Sequence, residues 1–581
     1  WDIIPGLTLR TNGTLKYGIN KNLTYNRKYY DDGTSSSTVS KNESYTYVWD
    51  NTLTYLKTLE DHNLVGLLGF SIEKYESDGL SASGSNFPDD EVLTNLGSAA
   101  TKNSIASSYN SNTLVSTFAR LEYKFKNRYL ATFTFRADGS SKFGPDKRWG
   151  YFPSGALAWI ISEENFLKDY SHIVSYLKLR ASIGKTGSQN LGNYAWRTLM
   201  GSATYNDAPG IKPSSLGNDI LQWESQVQKE IGLDYGFWDD RIRGSIGYYQ
   251  KKVDNLLYSD PVPYSSSFSS VTQNIGSLKN KGFEFDVKVD IIKNTQKDLT
   301  WDFDFNVARN ITTLEKLNSE AEYFGGGAYD YFKIKVGGKT GILYGYKYGG
   351  RLIRTNEELV ALKTVNPETG QQQYYRDNNN YERPGDLYIM DLDGDGQITA
   401  DGDRTEIGNA NPDFFGGFGT TLYWKGLMVN ATFTYSVGAD RFYDEEKSSA
   451  GDINAYNVSK NVLKSWTMNP GVDRGYPRAM YYGWGSNSII TDRYVHDASF
   501  LRLSALNISY RLPKRLFGSS IVDAIDLTFQ ATNLFTWTKY PGMDPQGNFS
   551  TSYSAFYNMG IDYSSYPSAR TYNVGIKITL K

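Results

Sequence analysis

The chain contains no cysteine, which excludes disulfides, thiolate metal sites and a cysteine nucleophile. Its three histidines, His62, His172 and His496, lie far apart and offer little material for a histidine triad or zinc site. The net charge of −2 over 581 residues leaves no basic footprint for nucleic acid. Nowhere does a run of about 18 apolar residues occur, so no transmembrane helix is encoded. The opening residues WDIIPGLTLR lack the basic and apolar regions of a signal peptide. They read as the interior of a strand-rich protein, so an N-terminal portion is expected to precede them.

Aromatic residues are abundant instead: Tyr 46, Phe 28 and Trp 12 make up 15% of the chain, at a mean hydropathy of −0.51. Together with frequent Ser, Asn and Gly, this favours strands joined by polar loops over an α/β enzyme. Strict two-residue alternation recurs along the chain. In TYNVGIKITL (571–580), Tyr572, Val574, Ile576, Ile578 and Leu580 alternate with polar residues or glycine. VNATFTYSV (429–437), FEFDVKVD (283–290) and WDFDFNV (301–307) do the same. In FLRLSALNISYRL the apolar phase shifts around Ala505 and Leu506, which predicts a β-bulge. Roughly sixteen strands are expected.

Alternation alone suits both a soluble sandwich and a membrane barrel. The connections separate them. Tight turns at KNR (126–128), DD (239–240) and KG (425–426) contrast with long polar loops near 139–152, 186–222, 254–275, 311–415, 438–498 and 532–568. Short turns on one rim and long loops on the other are the outer-membrane barrel pattern, and aromatic girdles at both interfaces need the tyrosines and tryptophans. The reading is therefore all-β: a large antiparallel transmembrane β-barrel with long extracellular loops. A calcium-stabilised soluble β-protein that binds or cleaves surface glycans is the alternative from another class.

Longer stretches carry a family resemblance. RADGSSKFGPDKRWGYFPSGALAWIISEENF (136–166) resembles the barrel signature of the SusC/RagA family of TonB-dependent transporters of Bacteroidetes. In the same order follow LKLRASIGKTGSQN (177–190), WESQVQKEIGLDYGFWDDRIRGSIGYYQKKVDNLL (223–257), NIGSLKNKGFEF (274–285) and NPDFFGGFGTTLYWKGL (411–427). SFLRLSALNISYRLP (499–513), NLFTWTKYPGMDP (533–545) and YPSARTYNVGIKITL (566–580) complete the series, which begins at DHNLVGLLGF (61–70). The resemblance implies the C-terminal majority of a barrel of about 22 strands, without the family's N-terminal plug, TonB box and first strands. The closing ITLK is also not the aromatic end usual for an assembly signal. It implies energised import of a bulky nutrient, an oligosaccharide or in some members a peptide, across the outer membrane of a Gram-negative bacterium. The implied partners are a SusD-like lipoprotein lid, the TonB–ExbB–ExbD energy complex engaged through the N-terminal region, and outer-membrane lipid.

DLDGDGQITADGD (391–403) has the opening of an EF-hand loop. Asp391, Asp393 and Asp395 take ligand positions 1, 3 and 5, Gly396 the sharp turn, Gln397 a backbone carbonyl and Ile398 the apolar anchor. Position 12 is Gly402, so Asp401 or Asp403 would have to substitute for the usual bidentate Glu. So many oxygen ligands favour Ca2+ over Mg2+, with a metal-free acidic turn as the alternative. Pro and Gly signals on both sides exclude paired EF-hand helices. The loop falls within 311–415, on the rim opposite the 293–298 and 425–426 turns. A bound ion is expected to brace that extracellular loop.

Catalytic candidates are few. Glu163 and Glu164 are neighbours in what reads as extended chain, and would point to opposite faces. Arg241, Arg243, Glu284, Asp286, Lys288, Asp302 and Asp304 read as solvated lumen lining, and Tyr481, Tyr482 and Trp484 as loop aromatics able to stack on sugars. GGKTG (337–341) lacks the strand and helix frame of a phosphate loop. No catalytic function is expected.

Overall fold

The computed structural model describes residues 1–28, 33–206, 208–317, 323–325, 332–362, 364–365, 372–373, 383–451, 458–467, 475–480, 487, 489–516, 518, 521–547, 560–563 and 565–581. The chain forms two compact units, Trp1–Ser171 with Leu177–Leu233 and Tyr249–Leu278, and His172–Tyr176 with Asp234–Tyr248 and Lys279–Lys581.

The first unit is built on β1 (Leu7–Asn26), β2 (Ser36–Leu59), β3 (His62–Ser85), β4 (Thr101–Phe125), β5 (Tyr129–Ser140), β6 (Trp149–Ile160) and most of β7 (Val174–Ser188). Each strand pairs antiparallel with the next. Like β7, strands β8 (Glu224–Phe237) and β9 (Ile242–Asp254) contribute residues to both units. In the second unit lie β10 (Ser277–Asn294) from Lys279 on, β11 (Leu299–Lys316), β12 (Phe414–Trp424), β13 (Leu427–Val437), β14 (Phe500–Arg511), β15 (Val522–Thr538) and β16 (Thr571–Leu580). Strands β11 to β16 again pair each with the next, all antiparallel.

Register turns the sequence alternation into two chemically distinct faces. One row across the second unit reads Phe305, Phe418, Phe433, Leu503 and Phe535. The adjacent row reads Asp304, Gly419, Thr432, Ala505 and Thr532. In the first unit Tyr123, Ala131, Leu157 and Ala181 share a row. The apolar faces are not covered by protein: Leu157 is 66% and Val574 83% exposed. Apolar surface this continuous is stable only against another apolar phase, which for a sheet of this size is lipid.

Short and long connections alternate over most of the chain, the exceptions being 141–148, shorter than the expected loop 139–152, and 161–173, longer than a tight turn. Residues 60–61, 126–128, 238–241, 295–298 and 425–426 close tight turns, while 189–223, 255–276, 317–413, 438–499 and 539–570 are long. The tight turns hold left-handed residues where two-residue hairpin geometry requires them, Lys126 and Asn127 in one, Lys425 and Gly426 in another.

The expected bulge is present, centred on Ser504, one residue earlier than the phase shift suggested. It is the extra residue against β13, where Thr432 pairs with Ala505 but Phe433 with Leu503. Opposite it on β15, Asn533 adopts φ +53 and the register slips again. That slip broke the apparent alternation at 532. The expected loop 532–568 accordingly begins only after Thr538, since Phe535 and Trp537 rejoin the apolar face past the bulge.

The buried cores lie among the long connections. In the first unit Phe143, Phe152, Leu221 and Trp223 pack together, and the Trp223 indole donates to the Arg148 carbonyl at 2.8 Å. In the second, 317–413 is not a bare loop. It contains a four-stranded antiparallel sheet of Tyr323–Gly325, Phe332–Ile334, Ile342–Tyr346 and Arg404–Asn409. Leu343, Leu352, Leu387, Ile389, Ile398 and Ile407 from this insertion share a core with Phe442, Ile490 and Tyr494.

Candidate functional site

The acidic loop is anchored at both ends by that core. Strand Leu387–Ile389 enters it and Ile398, 6% exposed, returns the chain to it. Burying an isoleucine is worth about 1.5–3 kcal/mol, which fixes the ends and leaves the turn between them to local hydrogen bonds. Both carboxylate oxygens of Asp391 accept backbone amides, from Gly394 at 2.7 Å and Gly396 at 2.8 Å. Asp393 accepts from the Asp395 amide at 3.1 Å and Asp395 from the Gln397 amide at 2.7 Å. Gly394 and Gly396 take φ +78 and +82, values that side chains with a Cβ rarely adopt.

This winding brings Asp391, Asp393 and Asp395 together, with one oxygen of each within 4.8 Å of the others. Each ionised carboxylate offers about four acceptor directions, so capacity remains beyond the amide bonds. The donor set, three hard oxygens on a turn of fixed geometry, fits a hard divalent cation.

Asp401 and Asp403 do not join this group. Asp401 is exposed on the short helix Ala400–Asp403. Asp403 is fully buried, and its oxygens accept the Leu392 and Thr399 amides, each at 2.7 Å. It clasps the two ends of the loop, a role with no signal in the local sequence. Gln397 follows the cluster, its amide committed to Asp395. At Gly402 an added Cβ would lie 2.2 Å from Asp393 Oδ2. The glycine at ligand position 12 therefore leaves room for the Asp393 carboxylate rather than supplying a ligand.

A second polar centre in the insertion was not foreseen. Asp386 is fully buried and takes Arg478 Nε at 2.7 Å, Arg478 Nη2 at 3.1 Å and Asn487 Nδ2 at 3.0 Å. Burial holds the Asp386 carboxyl above its usual range, with Arg478 opposing. Partners about a hundred residues apart in sequence leave no local pattern to read.

The polar faces of the strands carry hydrogen-bonded side-chain groups within each unit. Arg136, at the start of RADGSSKFG, donates to both oxygens of Asp138 at 2.7 and 2.8 Å and to Ser116 at 2.7 Å. Ser140 of the same stretch donates to Gln189 at 2.5 Å. Arg243 reaches Asp290 at 3.3 Å, Arg241 the carbonyls of Asp290 and Ile291, and Ser245 the Asp286 carboxylate. Arg241, Arg243 and Asp286 are therefore hydrogen-bonded within the wall, not merely solvated. The Asp304 carboxylate sits against Gly419, its register partner.

Glu163 ends the short helical turn Ile161–Glu163 and Glu164 follows it, so the pair does not lie in extended strand, because β6 ends at Ile160. Glu163 is exposed. Glu164 accepts Tyr129 at 2.5 Å, Trp159 at 3.1 Å and Arg128 at 3.0 Å, and the first two bonds above all hold its carboxyl below the usual range. It ties the start of the 161–173 connection back to β5 and β6. Tyr481, Tyr482 and Trp484 lie outside the described residues.

The sequence of residues 1–534 matches the family described as TonB dependent receptor-like, beta-barrel. The chain belongs to that family. It is 34% identical over 544 residues to TonB-dependent receptor P3 of Formosa agariphila, covering 91% of this chain and 52% of the relative. To TonB-dependent receptor SusC of Bacteroides thetaiotaomicron it is 32% identical over 486 residues, 80% of this chain and 44% of the relative. Among solved structures, the RagAB peptide transporter superposes with a TM-score of 0.82 at 25% identity, over 99% of this chain and 60% of that one. The chain thus spans about half the length of the curated relatives it matches. The SusC/RagA resemblance holds, the antiparallel sheet is that of a TonB-dependent receptor barrel, and the protein is an outer-membrane protein. The family is one of transporters and not of enzymes.

Proposed function

We propose that the chain is the barrel of a TonB-dependent importer that takes up a bulky hydrophilic nutrient. The observation that carries this reading is the family match across residues 1–534. It is supported by strands that are apolar on one face and lined on the other by Asp302, Asp304, Asn306, Asn430, Asn507 and Gln530. The substrate is an oligosaccharide. The amides of Asn306, Asn430, Asn507 and Gln530 can exchange hydrogen bonds with a polyol, and the Asp302 and Asp304 carboxylates can accept from its hydroxyls. A peptide is the second reading, favoured by the likeness to the RagAB peptide transporter. A SusD-like lipoprotein acts as the lid and the TonB–ExbB–ExbD complex supplies energy. A calcium ion held by Asp391, Asp393 and Asp395 braces the extracellular insertion.

The test is growth of a strain deleted for the full-length receptor, on a panel of glycans and on peptides as nutrient. A defect on one glycan class, restored by the gene, supports the oligosaccharide. A defect on peptides alone moves the assignment to peptide import, and no defect on either refutes nutrient import.

A further inference from the structure

We propose that the lipid-facing wall of the second unit binds the phosphate of an outer-leaflet glycolipid through Lys279, Lys281 and Lys339. The proposal rests on the outer-membrane reading with the long connections outside the cell.

The apolar face of β10 runs through Phe283, Phe285, Val287, Val289 and Ile291. Phe285 packs 6.4 Å from Phe305, a member of the apolar row of β11, which identifies this face as the lipid side. Five alternate residues span about 27 Å along a strand, close to what a tilted crossing needs. By the same two-residue period the next positions on this face, towards the long connection 255–276, are Lys281 and Lys279. On β11, Thr313 has the parity of Phe305, donates to the Lys279 carbonyl at 3.3 Å and bridges Lys339. The Leu314 amide bonds the Gly338 carbonyl at 3.0 Å, tying 335–339 along the strand end. Lys279 and Lys281, with Ile311, Thr313 and Val336, line a cavity of about 650 Å3. It opens where the apolar face stops.

Two lysines and one carboxylate, Glu315, line the cavity, and Lys339 lies beside it through its bridge to Thr313. Lys279 is paired with Glu315 at 3.3 Å. Lys281 and Lys339 are exposed and have no acidic partner among the described residues. On the outer face of the first unit the pattern is different: Lys41 and Lys74 are each neutralised, by Glu43 and Glu76. Unpaired cations clustered at the edge of a lipid belt favour a ligand that supplies both anion and apolar chain. A phosphorylated glycolipid does this, its phosphate at the lysines and its first methylenes against Ile311, Val336 and Phe283. Free phosphate would use only the lysines.

The test uses the full-length receptor extracted from outer membranes, with added phosphorylated lipopolysaccharide titrated by native mass spectrometry. The double variant Lys281→Gln/Lys339→Gln is expected to bind about 25-fold more weakly, from about fivefold per lysine. Lys41→Gln/Lys74→Gln is expected to bind like wild type. Dephosphorylated lipopolysaccharide should bind wild type no better than phosphorylated lipopolysaccharide binds the Lys281/Lys339 variant. Equal affinity of that variant and wild type overturns the proposal, as does inorganic phosphate that competes at the glycolipid's own concentration. Heat-modifiable gel migration confirms that each variant is folded. A wild-type receptor absent from the outer-membrane fraction would instead overturn the reading beneath the proposal.

Discussion

Removing charge from the 391–403 loop should have opposite effects with and without calcium. The informative variant is Asp393→Asn/Asp395→Asn. Each of these side chains accepts a backbone amide through one oxygen, which an asparagine Oδ can replace. Asp391, which uses both oxygens, is left intact. Three carboxylate oxygens no more than 4.8 Å apart repel by about 0.9 kcal/mol per pair in water, or about 2.6 kcal/mol for three pairs. Salt reduces that figure. In a chelator, the variant loop should therefore be protected as well as the wild type or better.

Calcium reverses the order. With a dissociation constant on the order of 10⁻⁴ M, typical of extracellular sites, about 10 mM calcium stabilises the wild-type loop by about 2.7 kcal/mol. That is about a hundredfold in its opening equilibrium. The assay is amide hydrogen exchange at residues 391–403 in the full-length receptor, in EGTA and in calcium. Wild-type exchange should slow about a hundredfold on adding calcium, and the variant should respond by no more than a few fold. A wild-type loop indifferent to calcium would show that the three carboxylates hold no ion and that their amide bonds alone shape the turn. A variant that responds as strongly as the wild type would place the ion elsewhere.

Gly402→Ala should shift the Asp393 carboxylate, since the new methyl falls 2.2 Å from Oδ2; calcium titration should show about tenfold weaker binding while gel heat-modifiability is unchanged. Asp386→Ala removes the buried carboxylate that gathers Arg478, Asn487 and the Arg383 amide, at a cost of about 3–5 kcal/mol, and should make the insertion the first site of cleavage in limited proteolysis. Burial raises the Asp544 carboxyl, but the amides of Gln546 and Ser568, with Arg502, outweigh it and leave it below its usual value. Its stabilising contribution is thus complete above the ordinary carboxylate range of about 3.9 and is lost as pH falls through the lowered value. Pepsin should therefore spare 539–547 near pH 4 and cut it near pH 2, a dependence that Asp544→Asn should flatten. Phe418→Arg, which breaks the 4.7 Å stack with Phe433 on the lipid side and costs about 2–4 kcal/mol, should reduce the folded band in heat-modifiability gels.

What the sequence discloses follows from which contacts are local. A barrel wall has a two-residue period because lipid and lumen select alternate side chains, so β13 and β16 are legible from alternation alone. Tight turns are legible because Lys425–Gly426 must take left-handed backbone in a two-residue link. A bulge is legible as a phase error, but its position is not, because Ser504 and Asn533 break register on neighbouring strands at once. The insertion shows the opposite case. Its strands are three to six residues long, too short to establish a period, and its core joins Leu343 and Leu387 to Phe442 and Tyr494.

The aspartates of DLDGDGQITADGD divide along the same line. Asp391, Asp393 and Asp395 could be grouped in advance because a glycine-permitted turn brings alternate residues together within five positions. Asp403 could not be assigned, since burial alone distinguishes a clasp from a ligand: solvent would leave its oxygens free to move, whereas full burial commits them to Leu392 and Thr399. Asp403→Asn separates these roles. An asparagine keeps one amide acceptor and presents an NH2 to the other amide, leaving a buried donor unpaired at a cost of about 1–3 kcal/mol. Exchange at residues 391–403 should then quicken to the same degree in EGTA and in calcium. If the loss appeared only in calcium, Asp403 would be a ligand after all.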